Sequence, residues 1–241
     1  MATTESKALQ RLRNRIEQEQ QNLQVLDVAL LSSHKIARES EGKMSVALGY
    51  DEEKYDHLHV PVTQSSRLMA QAKNANYRSA IITLYSLWTH YMKEILGLLY
   101  ETSPHEVAAK APGEMKFSEI IKLGNYEHIQ AQIVNHVFRQ LEDERSTKKL
   151  LDKILKHTKI SLAQDVKINA LAYLEMRHLF IHVNGEVDHA YWKTYHGIVP
   201  CAVGRKLPRR FKIVESAYEK VVLLCREVDR LLIAGGFINV R

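Results

Sequence analysis

The sequence predicts an all-α protein, a bundle of amphipathic helices with short joints. Three observations carry this. Apolar residues recur three and four apart over long stretches, the spacing that lines one side of a helix. The 241 residues include 10 glycines and 5 prolines, few enough to suit long helices and short connections. Stop signals also fall where the apolar stripes end, at Gly124, Asn184-Gly185 and Gly235-Gly236.

Residues 5–33 carry the first stripe. Leu9, Ile16, Leu23 and Leu30 recur every seven, Leu12 and Leu26 fill the intermediate position, and Glu19 interrupts it. Such a helix either packs on its own domain or pairs with another protomer or a partner. From Ser32 to Ser66 the pattern lapses. Gly42, Gly49, Pro61 and the run Asp51-Glu52-Glu53-Lys54 mark a connector with room for one short helical piece. The chain is accordingly divided into residues 1–65, an N-terminal amphipathic helix and connector, and residues 66–241, the main helical domain with an extended middle section. His57 and His59, in the connector, read as solvated loop residues.

Residues 66–100 form the most apolar helix. Ala80, Ile81, Leu84, Tyr85, Leu87, Trp88, Tyr91, Met92, Ile95 and Leu99 cover more than one face, which places it centrally in a bundle or at a subunit contact. Ser103-Pro104-His105-Glu106 reads as a capping box with proline at the first helical position, starting a short helix that ends before Pro112-Gly113. Phe117 to Leu123 is another short helix. Ile129, Ile133, Val134, Val137, Phe138 and Leu141 give residues 126–144 a helical stripe. Ser146 can cap the next helix, which turns Leu150, Leu151, Ile154 and Leu155 inward. Its outer face holds Lys148, Lys149, Lys153, Lys156, His157 and Lys159, a basic surface of the kind that contacts phosphates.

Asp165 to His182 is a buried helix stopped by Asn184-Gly185, and a short aromatic helix follows from Val187 to Tyr195. Residues 196–212 read as an extended loop or small hairpin, made basic by Arg205, Lys206, Arg209, Arg210 and Lys212. The last helix runs from Ile213 to Ala234, with Val214, Ala217, Tyr218, Val221, Leu224, Val228 and Leu231 inward.

The formal charge of +6 and pI near 9.2 are compatible with a nucleic-acid partner. Cys201 and Cys225 form no CxxC, which argues against a zinc ribbon or a disulfide scaffold and for reduced thiols in the cytoplasm. The polar start Met-Ala-Thr-Thr-Glu-Ser-Lys does not read as a secretory signal, and no eighteen-residue apolar run predicts a membrane span.

Chemistry concentrates at the end of the buried helix, in Arg177-His178-Leu179-Phe180-Ile181-His182. His178 and His182 share a helix face, whereas Arg177 lies about 140° round from His182. Arg177 and His182 therefore converge only if the helix end distorts or a second subunit supplies the partner groups. Three readings compete: structural side chains bonded within a bundle; metal binding through H-x-x-x-H, with no third ligand at a diagnostic spacing; and ribonuclease chemistry.

The segment R-H-x-x-x-H resembles the R-x4-6-H motif of the HEPN domain family. The likeness continues through His182-Val183-Asn184-Gly185-Glu186-Val187-Asp188, with Tyr191 and Tyr195 trailing, and through the apolar helix around residues 76–94, the basic loop and the long last helix. It covers about residues 66–234. The family helix often carries an acidic residue near its middle, where this chain has Thr89. Arg78 sits one turn before the apolar run and reads either as a solvated arginine or as a residue facing the same cleft. The resemblance implies a HEPN-like bundle that forms a homodimer, joining two arginines and two histidines into one metal-independent endoribonuclease site without a cofactor. In that site Arg177 stabilises charge on phosphate, His182 is the acid/base, His178 orients the phosphate, and Asn184 supports them or caps the helix. It further implies an RNA substrate, for which Lys148, Lys149, Lys153, Lys156, Arg205, Lys206, Arg209 and Arg210 are the candidate basic contacts, a toxin–antitoxin or antiviral role, and an antitoxin or regulatory protein partner. The alternative is a non-catalytic HEPN module that binds RNA or a partner protein.

Overall fold

The computed structural model describes residues 5–50, 52–102, 114–143, 147–158 and 160–238. Among these the chain is all-α, with no named strand. Its helices are α1 (Lys7–Arg38), α2 (Met44–Ala47), α3 (Ser65–Thr102), α4 (Phe117–Leu123), α5 (Tyr126–Asp143), α6 (Thr147–Thr158), α7 (Gln164–His182), α8 (His189–Tyr195) and α9 (Phe211–Ala234). Two 3-10 turns, Glu53–Leu58 and Val62–Gln64, lie in the connector.

Four long helices build the core. α1 packs on α3 and α9, and α7 packs on both α3 and α9. α1 runs antiparallel to α3, since Arg11 pairs with Glu94 while Asp27 meets Lys73 and Tyr77. α3 and α9 run parallel: the Tyr77 and Phe211 rings lie 6.3 Å apart, and fourteen residues on the Tyr91 hydroxyl donates to the Cys225 carbonyl at 3.0 Å. Trp88, Tyr91, Met92 and Ile95 of α3 are buried among α7 and α9 side chains such as Leu174, Phe180, Tyr218 and Leu224. Each such side chain contributes roughly 1.5–3 kcal/mol by leaving water. Tyr85 and Leu87 are only partly buried.

α1 begins two residues later and extends five residues further than the stripe over residues 5–33 predicts. The Ser6 Oγ accepts from the Leu9 amide at 3.1 Å, which caps α1. The Ser6 amide donates to Asp229 Oδ2 at 2.8 Å, and its hydroxyl donates to Oδ1 of the same carboxylate. The start of the first helix is thus fastened to the last. Ala8, Leu9, Leu12, Ile16 and Leu23 join the same hydrophobic cluster as α3, α7 and α9. Further along, Leu26 is 47 % exposed and Leu30 only partly buried. A seven-residue repeat drifts by about 20° per heptad on a straight helix, which carries the later members off the buried side. Val25, Val28 and Ile36 lie on the outer side of α1 and are exposed.

The connector holds one α-helical turn, α2, and a single bridge between Lys43 and Pro61. α4 matches its sequence bounds, stopped by Gly124 at φ 74°. In α9 the inward position near the end falls on buried Leu232 rather than Leu231, which is only partly buried. Residues 196–212 form no hairpin of their own. Their pairing is with the segment after α7, through an antiparallel bridge between Glu186 and Lys206. The capping box at Ser103-Pro104-His105-Glu106 and the Ser146 cap lie outside the described residues.

Candidate nucleic-acid interface

α7 is helical through His182, and Val183 closes it. The Val183 and Gly185 amides both donate to the Leu179 carbonyl, at 3.1 and 2.7 Å. Asn184 (φ 53°) and Gly185 (φ 79°) are both left-handed. A Cβ on Gly185 would stand 3.0 Å from the Phe180 ring, so both backbone and packing demand glycine there.

Past this stop the chain is clasped to the basic segment. Val187 N donates to Arg205 O (2.9 Å), Gly204 N to Val187 O (2.9 Å) and Leu207 N to Gly185 O (2.8 Å). Two of the basic residues then turn to the helix end. Lys206 Nζ at 3.1 Å and an Arg209 Nη at 3.4 Å donate to the Asn184 carbonyl. Cations are favoured at a helix C-terminus, where carbonyl oxygens concentrate partial negative charge. Lys206 and Arg209, expected only as RNA contacts, therefore also hold the cap, and the backbone of Asn184 is part of that cap. Arg205 and Arg210 are exposed, the latter as the residue preceding α9.

The three motif side chains point to different neighbours. The His178 and His182 rings lie one turn apart, tilted at 42° to each other with centroids 4.6 Å apart. His178 is partly buried and His182 exposed. The Arg177 guanidinium lies 4.8 Å from the centroid of the Tyr85 ring on α3, a cation–π contact. Because α7 stays regular to His182, the route by helix distortion is not taken, and Arg177 and His182 do not converge in one chain. None of the three has a carboxylate partner among the described residues.

α8 fixes the clasp from beneath. Asp188 caps it by accepting from the Tyr191 amide at 2.7 Å, and the Tyr191 hydroxyl donates to the Ala172 carbonyl of α7 at 2.8 Å. Burial pushes the Tyr191 phenol well above its ordinary pKa. Burial, with Glu175 nearby, pushes Tyr195 up to about 12. These tyrosines are neutral packing groups.

The second basic surface is remote from the motif. Asp152 of α6 pairs with Lys167 near the start of α7, some fifteen residues before His182, which is about 22 Å along the helix. Lys148 and Lys156 are exposed there; the side chains of Lys149 and Lys153 lie outside the described residues. Thr89, at the position where an acidic residue was the family expectation, is buried, and its Oγ1 has no hydrogen-bond partner among the described residues. Among the described residues no group of three or more His, Cys, Asp or Glu side chains is placed to hold a metal ion, and none of them gives the His178–His182 pair a third ligand.

A groove beside the motif was only half visible in the sequence. Gln71, Asn74, Arg78, Ser79, Ile82 and Arg209 line an open space of about 420 Å³. Arg78 thus faces the side of the bundle where α7 ends. Residues 71, 74, 78 and 82 fall on one face of α3, and this polar spacing was the signal that could have found Gln71 and Asn74. No protein-family model, no curated protein and no solved structure significantly matches the chain. No helix among the described residues is long and apolar enough to cross a membrane.

Proposed function

We propose that this chain is a HEPN-type, metal-independent endoribonuclease that works as a homodimer. One observation carries the reading. Arg177, His178 and His182 lie at the C-terminal end of α7, the first two partly buried and His182 exposed, and none is neutralised by a carboxylate among the described residues. A cation and two imidazoles without counter-charge among the described residues suit an anionic substrate.

The chemistry follows from the groups. The RNA 2′-hydroxyl attacks the adjacent phosphorus, a new O–P bond forms, and the bond to the 5′-oxygen breaks, leaving a cyclic phosphate. His182 exchanges the proton, a task for which imidazole is suited near neutral pH. Arg177 forks two bonds to the phosphate oxygens as charge develops. His178 orients the phosphate. Since Arg177 and His182 diverge in one chain, the partner subunit supplies the complementary group. Purified protein incubated with RNA in EDTA should cut it, and Arg177→Ala or His182→Ala should lower the rate by about 10²-fold or more. Failure of clean wild-type protein to cut any RNA, or a monomer by light scattering at high concentration, would sink this mechanism.

The second reading is a non-catalytic module that binds RNA or a protein, favoured by the stacking of Arg177 on Tyr85 away from His182. It expects RNA binding without cleavage. A toxin–antitoxin or antiviral role fits either reading, with a neutralising partner docking on the exposed Val25, Val28 and Ile36 of α1. Because the start of α1 belongs to the core, that role is tested on its exposed face alone, by Val25→Glu with Val28→Glu. Soluble protein that still cuts but escapes its partner supports docking.

A further inference from the structure

We propose that the groove between α3 and the segment before α9 is a phosphate-binding site with Arg78 and Arg209 as its anion ligands. Only the choice of an RNA strand as the source of that phosphate rests on the function proposed above.

The groove is built of donors without counter-charge. Arg78 and Arg209 both line it, together with the amides of Gln71 and Asn74 and the Ser79 hydroxyl, and no carboxylate does. Among the described residues Arg78 makes no ion pair or hydrogen bond. Arg209 commits one of its five N–H donors, at 3.4 Å, to the Asn184 carbonyl. Its Nε is buried and has no partner. That atom is closed to solvent, so a ligand in the groove meets the Nη groups, whose other N–H donors are uncommitted among the described residues. Phosphate supplies acceptor oxygens in the geometry a guanidinium fork fits.

Size and position narrow the ligand. A volume of about 420 Å³ lies within the roughly 300–1,000 Å³ typical of small-molecule sites, so the space takes a nucleotide unit rather than a bare ion. Ile82 offers an apolar surface for sugar or base. The groove also adjoins the motif helix, because the Arg209 guanidinium carbon lies 6.0 Å from the centroid of the Phe180 ring. Along α3, Arg78 and Tyr85 are seven residues apart, about 10 Å. A strand whose phosphate rests on Arg78 therefore runs toward Arg177, stacked on Tyr85.

The test uses the full chain. Binding of a labelled single-stranded 12-nucleotide RNA is followed by fluorescence anisotropy at several salt concentrations. Inorganic pyrophosphate and AMP are titrated by calorimetry. The variants are Arg78→Gln, which removes the cation, and Asn74→Asp, which puts a negative charge in the groove; circular dichroism confirms each is folded. Each variant should weaken RNA binding by about tenfold, and Arg78→Gln should lower the salt slope by about one. If pyrophosphate or AMP binds as tightly as RNA and depends equally on Arg78, the phosphate site stands and its source is a free phosphate compound. Wild-type RNA binding or cleavage that both folded variants retain in full overturns the groove assignment and leaves the RNA reading intact. No response of RNA, pyrophosphate or AMP to either variant overturns the proposal outright.

Discussion

α3 has two sides that treat charge in opposite ways. On the side covered by α1, charges meet counter-charges. Asp27 accepts from Tyr77 at 2.9 Å and pairs with Lys73 at 2.9 Å, and Arg11 pairs with Glu94 at 2.9 Å. The same helix begins at Ser6, whose amide and hydroxyl both bond the buried Asp229. On the side facing the end of α7, the residues are Arg78, Arg177 and Arg209, set against the Tyr85 and Phe180 rings or open space and, among the described residues, without a carboxylate. Matched charges hold the fold together. Unmatched ones, kept at some cost in repulsion, are available to an anion.

Substitutions can break or sharpen this contrast. The largest effect is expected on the matched side. Asp229→Ala strands the Ser6 amide and hydroxyl in the core and should cost about 3 kcal/mol, lowering Tm by roughly 6–12 °C in a chain this size. Burial raises the Asp229 pKa against the lowering effect of its Ser6 bonds. Its contribution is therefore fullest below the unfolded value of 3.8 and fades as pH rises through the folded value. Denaturant titrations of wild type and Asp229→Asn should show wild type losing ground as pH is raised through that window.

At the end of α7, stability should reside in the backbone. Gly185→Ala forces a side chain into a left-handed position against Phe180 and should cost about 2 kcal/mol by urea unfolding. Tyr77→Phe, on the matched side, should cost about 1 kcal/mol. Burial raises the Asp27 pKa, but the Lys73 and Tyr77 bonds outweigh it and the net shift is downward. The stability from Asp27 is then present above 3.8 and lost as pH falls through the folded value. The gap between wild type and Tyr77→Phe should accordingly narrow in acid. The smallest change is expected for Arg177→Gln, whose unfolding free energy should stay within about 0.5 kcal/mol of wild type while RNA cleavage falls. Equal destabilisation by Arg177→Gln and Tyr77→Phe would erase the distinction between the two sides.

The helices were legible because their signals are local. Gly124 stops α4, Asn184-Gly185 stops α7, and the apolar residues from Ala80 to Leu99 placed α3 at the centre. What the sequence hid depends on distant partners. Nothing near Ser6 announces Asp229, 223 residues away. The pairing of residues 204–207 with 185–187 arises because Leu207 and Val187 both bury in the same cluster, which overrides a hairpin within residues 196–212. In the site, spacing correctly separated Arg177 from His182 and left Arg78 with two readings. The groove needed Arg209, which only the clasp brings to α3.

That clasp has a kinetic consequence. The amides of Val187, Gly204 and Leu207 are tied to carbonyls of the opposite segment, so their protons can exchange with solvent only when the two segments part. Parting also frees Arg209 from the end of α7. The three amides should therefore share one opening free energy. A ligand seated on Arg209 should slow all three together, while amides deep in α3 keep their own pace.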